Sequence, residues 1–143
     1  VKMSKESGKA ITKIKNLQTS NGGFTWFKGG PDDRYITQYI LTSIGHLRKL
    51  EAWPEKYKNE FIRIIDQAIP YLDARIKEDY DWLIRNKINL NQNNLSSIAI
   101  HYLYMRSFFM EYPVSNAAQK SVDYYTAQAA QYWLQNGKYE QGM

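Results

Sequence analysis

Gln18-Thr19-Ser20-Asn21-Gly22-Gly23-Phe24-Thr25-Trp26-Phe27 stands between two amphipathic runs and can continue neither of them. Asn-Gly is a strong turn signal, and paired glycines open the positive-φ region that a tight reversal uses. A second break, Gly29-Gly30-Pro31, follows directly. Between the two breaks lies an aromatic cluster, Phe24-Thr25-Trp26-Phe27, on what the spacing makes a short loop.

Working outward, helical periodicity dominates on both sides. Upstream, Ala10, Ile11, Ile14 and Leu17 fall on one face and predict a helix over Ser4–Leu17, weakened at its start by Gly8. Downstream, Asp32 or Asp33 can cap a helix over Arg34–Leu50, with Ile36, Ile40, Ile44 and Leu47 as its buried stripe and Gly45 at a close contact. Pro54 suits the first turn of a third helix, whose face continues through Phe61, Ile65, Ala68, Ile69, Leu72 and Ile76 to about Leu83. Pro70 predicts a kink or a short break within it. After an Asn-rich loop at Asn89–Asn94 comes a fourth helix over Leu95–Tyr112, with Leu95, Ile98, Tyr102, Met105, Phe109 and Tyr112 inward and Ala99, Leu103 and Met110 widening the stripe. A fifth follows Ser115 over Asn116–Gln135, with Asn136-Gly137 as its stop. No run alternates as a strand does. The fold class expected is all-α, built of antiparallel α-hairpins, with residues 1–143 as one helical domain and a fragment of something larger. Periodicity fits a bundle, a solenoid or a toroid equally.

Composition limits the chemistry. The chain has 143 residues and no cysteine, so disulfides, Cys-ligated metals and a thiol nucleophile are excluded within it. The net charge of +5 is spread along helices that also carry an apolar side, which reads as a solvated basic surface and gives no reason to expect nucleic acid. No stretch is long and apolar enough to span a bilayer, and no membrane contact by this segment is expected. Val1 to Lys15 is polar and has no apolar run of the signal-peptide kind. Twelve Tyr and four Trp make aromatics 15% of the chain, a content suited to helix seams and to surfaces with one wet end.

The motif beginning at Gln18 resembles the Gln-x-x-Asp/Asn-Gly-Gly-aromatic signature of α/α-toroid domains, the fold of terpenoid cyclases, prenyltransferases and thioester domains. The longer string through Trp26-Phe27-Lys28-Gly29-Gly30 and Tyr35-Ile36-Thr37-Gln38-Tyr39-Ile40-Leu41 resembles bacterial α-macroglobulin-like proteins, particularly those of the Bacteroidetes. Ala99-Ile100-His101-Tyr102-Leu103-Tyr104-Met105-Arg106, and Tyr124-Tyr125 ahead of Trp133, fit the same picture. The resemblance implies a partial α/α toroid of the terpenoid cyclase/prenyltransferase type. It implies a periplasmic or cell-envelope location and a parent protein that traps proteases, an endopeptidase inhibitor. The partners it implies are neighbouring domains of that parent and, through the parent, target proteases. Many members carry a Cys-x-Glu-Gln thioester, which this chain cannot form within its own residues.

Side chains that could carry chemistry are few. Asp32-Asp33 sits at a predicted helix start, where capping is the ordinary role, and adjacent carboxylates rarely reach the separation glycoside hydrolysis needs. His46 and His101 have no ligand or base partner at helical spacing. Glu78, Asp79 and Asp81 fit no calcium loop. The expectation is no catalytic residue, no metal and no cofactor. The candidate interaction patch is Phe24, Trp26, Phe27, Arg34, Tyr35 and Gln38, with Lys28 at its rim. Two alternatives stand beside it. One is an α/α-toroid enzyme of glycosidase or cyclase type, with an acid such as Asp81 or Glu111 facing Trp26. The other is a helical-repeat binding module.

Overall fold

In the computed structural model the backbone is described for residues 2–141 and side chains for residues 8–134. The element order is α1 (Lys2–Asn16), β1 (Phe24–Thr25), β2 (Asp32–Asp33), α2 (Arg34–Lys49), a 3-10 turn (Glu55–Tyr57), α3 (Lys58–Arg85), α4 (Ser97–Arg106) and α5 (Asn116–Gln141). The chain divides into two compact units, Val1–Leu72 and Asp73–Met143, and the division falls inside α3.

In the first unit, β1 and β2 pair antiparallel, Phe24 opposite Asp33 and Thr25 opposite Asp32. These strands are two residues each, too short for the alternation that betrays a strand in sequence. Asp33 caps α2: its backbone is extended and its carboxylate accepts the Ile36 N–H at 3.0 Å. The core gathers Ile11, Phe24, Leu41, Ile44, Phe61, Ile65, Ala68 and Leu72, so the stripe expected on α3 is buried as read.

Of the stripe expected on α2 only Ile44 is buried. Thr37, Gln38, Leu41, Thr42, Ile44 and Gly45 face inward, Ile36 and Ile40 are half-buried, and Leu47 is exposed. Hydrogen bonding decides this. The Thr37 hydroxyl accepts the Phe24 N–H at 2.8 Å and donates to the Asp33 carbonyl at 2.7 Å. Thr42 donates to the Gln38 carbonyl at 2.8 Å. Threonines that return their hydroxyl to the backbone one turn back are cheap to bury.

In the second unit, Ile76, Leu83, Leu95, Ala99, Tyr102, Met105, Phe109, Ala118 and Tyr125 form the core. Ser96 caps α4 by accepting the Ala99 N–H at 3.2 Å. The helix ends at Arg106, well before the expected Tyr112. The Arg106 guanidinium donates to the carbonyls of Phe109 at 3.0 Å and Tyr112 at 2.6 Å, which folds the chain into tight turns. Met110, expected to widen the stripe, is therefore 81% exposed.

Three punctuation marks act differently from expectation. Pro70 neither kinks nor breaks α3, which runs through it for 28 residues. Pro70 and Asp66 are both exposed, so the carbonyl deprived of its i+4 donor faces water. Pro54 precedes the 3-10 turn instead of opening the helix itself. α5 continues past Asn136-Gly137 to Gln141.

The partial α/α toroid is overturned. Among the described residues the chain is an all-helical domain with one small, unclosed antiparallel β-hairpin, and the helices make no closed or curled ring. A toroid alternates paired helices across short turns. Here the kink or short break expected at Pro70 is absent, and a strand pair occupies the link between α1 and α2.

Candidate interaction surface on the Asn-Gly-Gly hairpin

The turn after α1 is held by a dense set of hydrogen bonds, each explaining one residue of the motif. Thr19 N–H donates to the Gly23 carbonyl at 2.8 Å, and Gly22 N–H to the Thr19 carbonyl at 3.0 Å. Gln18 Nε2 donates to the Gly22 carbonyl at 2.9 Å and to the Ile64 carbonyl on α3 at 3.2 Å, so one amide straps the turn to the helix. Asn21 Oδ1 accepts the Gly23 N–H at 3.1 Å, while Nδ2 donates to Asp32 Oδ2 at 2.7 Å. The other oxygen of Asp32 accepts the Tyr71 hydroxyl at 3.0 Å.

Gly22 has φ +98°, and a Cβ there would stand 2.0 Å from the Gln67 carbonyl oxygen. The turn therefore needs glycine twice over, for its dihedral and for its approach to α3. Behind it, Phe24 is fully buried.

Two aromatic rings on this mount, Trp26 and Phe27, and two on α2, Tyr35 and Tyr39, stay in solvent. Trp26, Phe27, Tyr35 and Tyr39 are 61%, 63%, 56% and 58% exposed. The Thr25 hydroxyl donates to the Phe27 carbonyl at 2.7 Å and Gly30 N–H to the same oxygen at 3.0 Å, fixing the loop that carries the rings. Of the patch read from sequence, Trp26, Phe27 and Tyr35 are at the surface, with Arg34 half-buried beside them in the chain. Phe24 and Gln38 are corrected out of it, since both are fully buried in the core of the first unit. Tyr39, exposed one turn after Tyr35, was missed; its i+4 spacing from Tyr35 was the available signal.

Asp32 and Asp33 are both committed to structure, the first to Asn21 and Tyr71 and the second to the α2 cap. Asp81 is ion-paired with Lys77, and Glu78 with Arg75, along α3. No group of three or more His, Asp or Glu among the described residues is placed to hold a metal ion. No helix among the described residues is long and apolar enough to cross a membrane.

Two polar assemblies in the second unit, one buried and one part-buried, were not legible in the sequence. In the first, Asp73 accepts from Arg106 Nη2 at 2.7 Å, from Arg106 Nε at 3.1 Å and from the Tyr102 hydroxyl, with Asp73 and Arg106 both over nine-tenths buried. Burial raises the Tyr102 hydroxyl far above the usual phenol range, and the Asp73 charge and hydrogen bond raise it further. Burial alone would lower the Arg106 guanidinium, but the hydrogen bonds and charge of Asp73 outweigh it and leave it above its ordinary value. In the second, one face of α5 holds the Asn-rich loop. Gln128 accepts the Asn94 N–H at 2.7 Å and donates to the Gln92 carbonyl at 2.9 Å. Tyr124 donates to the Leu90 carbonyl at 2.8 Å, and Tyr132 to the Asn91 carbonyl at 3.0 Å. Tyr124, Gln128 and Tyr132 recur every four residues, a spacing that signals a shared face but not what it touches.

Comparison with protein families, with curated proteins and with solved structures returned no match. The α-macroglobulin, endopeptidase-inhibitor, thioester-domain and periplasmic attributions therefore gain no support from comparison, and the toroid among them is excluded by the architecture.

Proposed function

We propose that this chain is a non-catalytic structural and interaction segment of a larger protease trap, with the rings carried by the Asn-Gly-Gly hairpin as its docking surface against a neighbouring domain. The observation that carries the interaction role is the contrast between mount and rings. The hairpin is tied to α3 through Gln18, Gly22 and Asp32–Tyr71, while Trp26, Phe27, Tyr35 and Tyr39 are left more than half exposed. Ordering a loop so tightly costs conformational entropy, and clustered aromatics in water gain nothing until something covers them. Large rings on a rigid support lose little entropy on docking and bury large areas, which is why Trp and Tyr dominate interface energetics. The trapping role itself is supported by the resemblance of the long string from Leu17 to Leu41.

The test uses the intact parent protein with an endoprotease, scored on a small peptide substrate and on a large protein substrate. Retained peptide cleavage with lost protein cleavage is the expected result. A Trp26→Ala/Phe27→Ala variant is expected to fold normally and lose that protection. If wild type leaves both activities unchanged, the trapping role fails; if the variant protects as well as wild type, the docking role of the rings fails.

A further inference from the structure

Asn21-Gly22 is one of two Asn-Gly pairs in the chain, the other being Asn136-Gly137. Asparagine before glycine is the pair most prone to lose its side-chain amide, because glycine has no Cβ to hinder attack by its own backbone nitrogen on the preceding side chain. In the fold that chemistry is held off at three points. Gly22 is buried, and its N–H donates to the Thr19 carbonyl at 3.0 Å. Asn21 Oδ1 accepts the Gly23 N–H at 3.1 Å and the Thr19 hydroxyl. Asn21 Nδ2 donates to Asp32 Oδ2 at 2.7 Å. The nitrogen that must lose a proton to solvent is therefore buried and hydrogen-bonded, and the amide it must attack is pinned at both ends.

In an opened hairpin the reaction is free to run. Solvent base takes the Gly22 N–H proton, and the nitrogen attacks Asn21 Cγ. The Cγ–Nδ2 bond breaks, and ammonia leaves with a proton returned from solvent. Water then opens the cyclic imide at either carbonyl and leaves aspartate or isoaspartate, so one water is consumed for each ammonia released. Neither product fits the closed turn. Aspartate puts a second carboxylate where a donor had met Asp32 Oδ2 at 2.7 Å, which replaces a hydrogen bond with like charges. Isoaspartate adds a methylene to the main chain between Thr19 and Gly23, the residues whose N–H to carbonyl bond at 2.8 Å closes the turn. Extra length has no room here, since even a Cβ on Gly22 would stand 2.0 Å from the Gln67 carbonyl oxygen.

We propose that Asn21-Gly22 is a self-modification site governed by the hairpin that contains it. Closed, the hairpin preserves the asparagine. Opened, it deamidates, and the product cannot close the turn again. The hairpin is thereby a one-way switch whose rate follows how often the turn opens locally. Asp32 gives the switch its direction, because its carboxylate favours an amide over an acid at position 21. This inference is independent of the docking role given to Trp26 and Phe27.

The test uses the whole 143-residue chain. Peptide mapping by mass spectrometry reads deamidation at Asn21 separately from Asn136. Hydrogen exchange reads closure of the turn, where the N–H groups of Thr19, Gly22, Gly23, Phe24 and Thr25 are all hydrogen-bonded. In mildly alkaline buffer Asn21 is expected to deamidate at least about tenfold more slowly in the folded chain than in urea. Chain deamidated at Asn21 in urea and returned to native buffer is expected to lack protection across the turn, whereas chain held in acidic urea, where the amide survives, regains it. Asn21→Asp is expected to lack that protection as well. The double variant Asn21→Asp/Asp32→Asn restores the pair with its partners exchanged and is expected to recover it. Equal deamidation rates in folded and unfolded chain overturn the proposal. So does wild-type protection in the deamidated chain or in Asn21→Asp, or a double variant no better protected than Asn21→Asp.

Discussion

Replacing Asp73 with alanine tests the interior of the second unit at its most sensitive point. Asp73 accepts from Arg106 through two nitrogens, at 2.7 and 3.1 Å, and from the Tyr102 hydroxyl. The side chains of Arg106 and Asp73 are 8% and 7% exposed, so solvent screens the pair little. Without the carboxylate, a guanidinium stays buried with the Phe109 and Tyr112 carbonyls and the Tyr102 hydroxyl as partners, none of them charged. Removing one member of a buried pair costs about 3–5 kcal/mol, most of it the penalty of the stranded charge. At ~2–4 °C per kcal/mol, the melting temperature falls by roughly 6–20 °C. Arg106→Met alone is expected to cost a similar amount, since it strands the carboxylate instead. The double variant Asp73→Ala/Arg106→Met removes both charges and is expected to cost no more than either single change, a strong departure from additivity. Urea unfolding followed by circular dichroism reads all three. A cost for Asp73→Ala below about 1 kcal/mol, the value of an exposed pair, refutes the reasoning, as does an additive double variant.

Gly22→Ala meets both a positive φ and the Gln67 carbonyl at 2.0 Å, whereas Gly29→Ala meets only a positive φ, with open space around it. The first is expected to lose more than about 3 kcal/mol and the second about 1–2 kcal/mol in the same unfolding assay. Pro70→Ala restores a helical N–H at an exposed position of α3 and is expected to stabilise the chain by about 1–3 kcal/mol. Burial lowers the pKa of His101 below its ordinary 6.5. The folded state then binds fewer protons than the unfolded one, so this contribution is complete above the unfolded pKa and is lost as pH falls through that value and the lowered folded one. Melting temperature measured against pH should fall less on the acid side for His101→Gln than for wild type.

How much could be read before any coordinates depended on whether a signal was local. The Asn21-Gly22-Gly23 turn, the Asp33 cap and the Phe61–Ile76 stripe were legible because each rests on backbone dihedrals or helical spacing within a few residues. Exposure of Trp26 and Phe27 was half legible: the sequence marked the cluster, and only packing put Phe24 inside and its neighbours outside. The hairpin strands were invisible, since two residues per strand cannot alternate. The toroid came from the short motif and failed because that motif specifies a turn and its packing on one helix, not the course of the chain beyond it.

The sequence by itself determined that the chain is helical, lacks cysteine chemistry, is basic, and reverses direction at Asn21-Gly22 around an aromatic cluster. Tertiary structure alone decided which side of each helix faces inward. α2 buries two threonines and a glutamine because a distant N–H, that of Phe24, needs the Thr37 hydroxyl, and this leaves Ile40 half-buried and Leu47 exposed. α4 stops at Arg106 because its guanidinium finds Asp73 at one end and two carbonyls beyond the helix at the other. Hydrophobic periodicity gives a helix its candidate faces. Hydrogen bonds between residues far apart in sequence choose among them, because a buried polar group without a partner costs more than an exposed isoleucine.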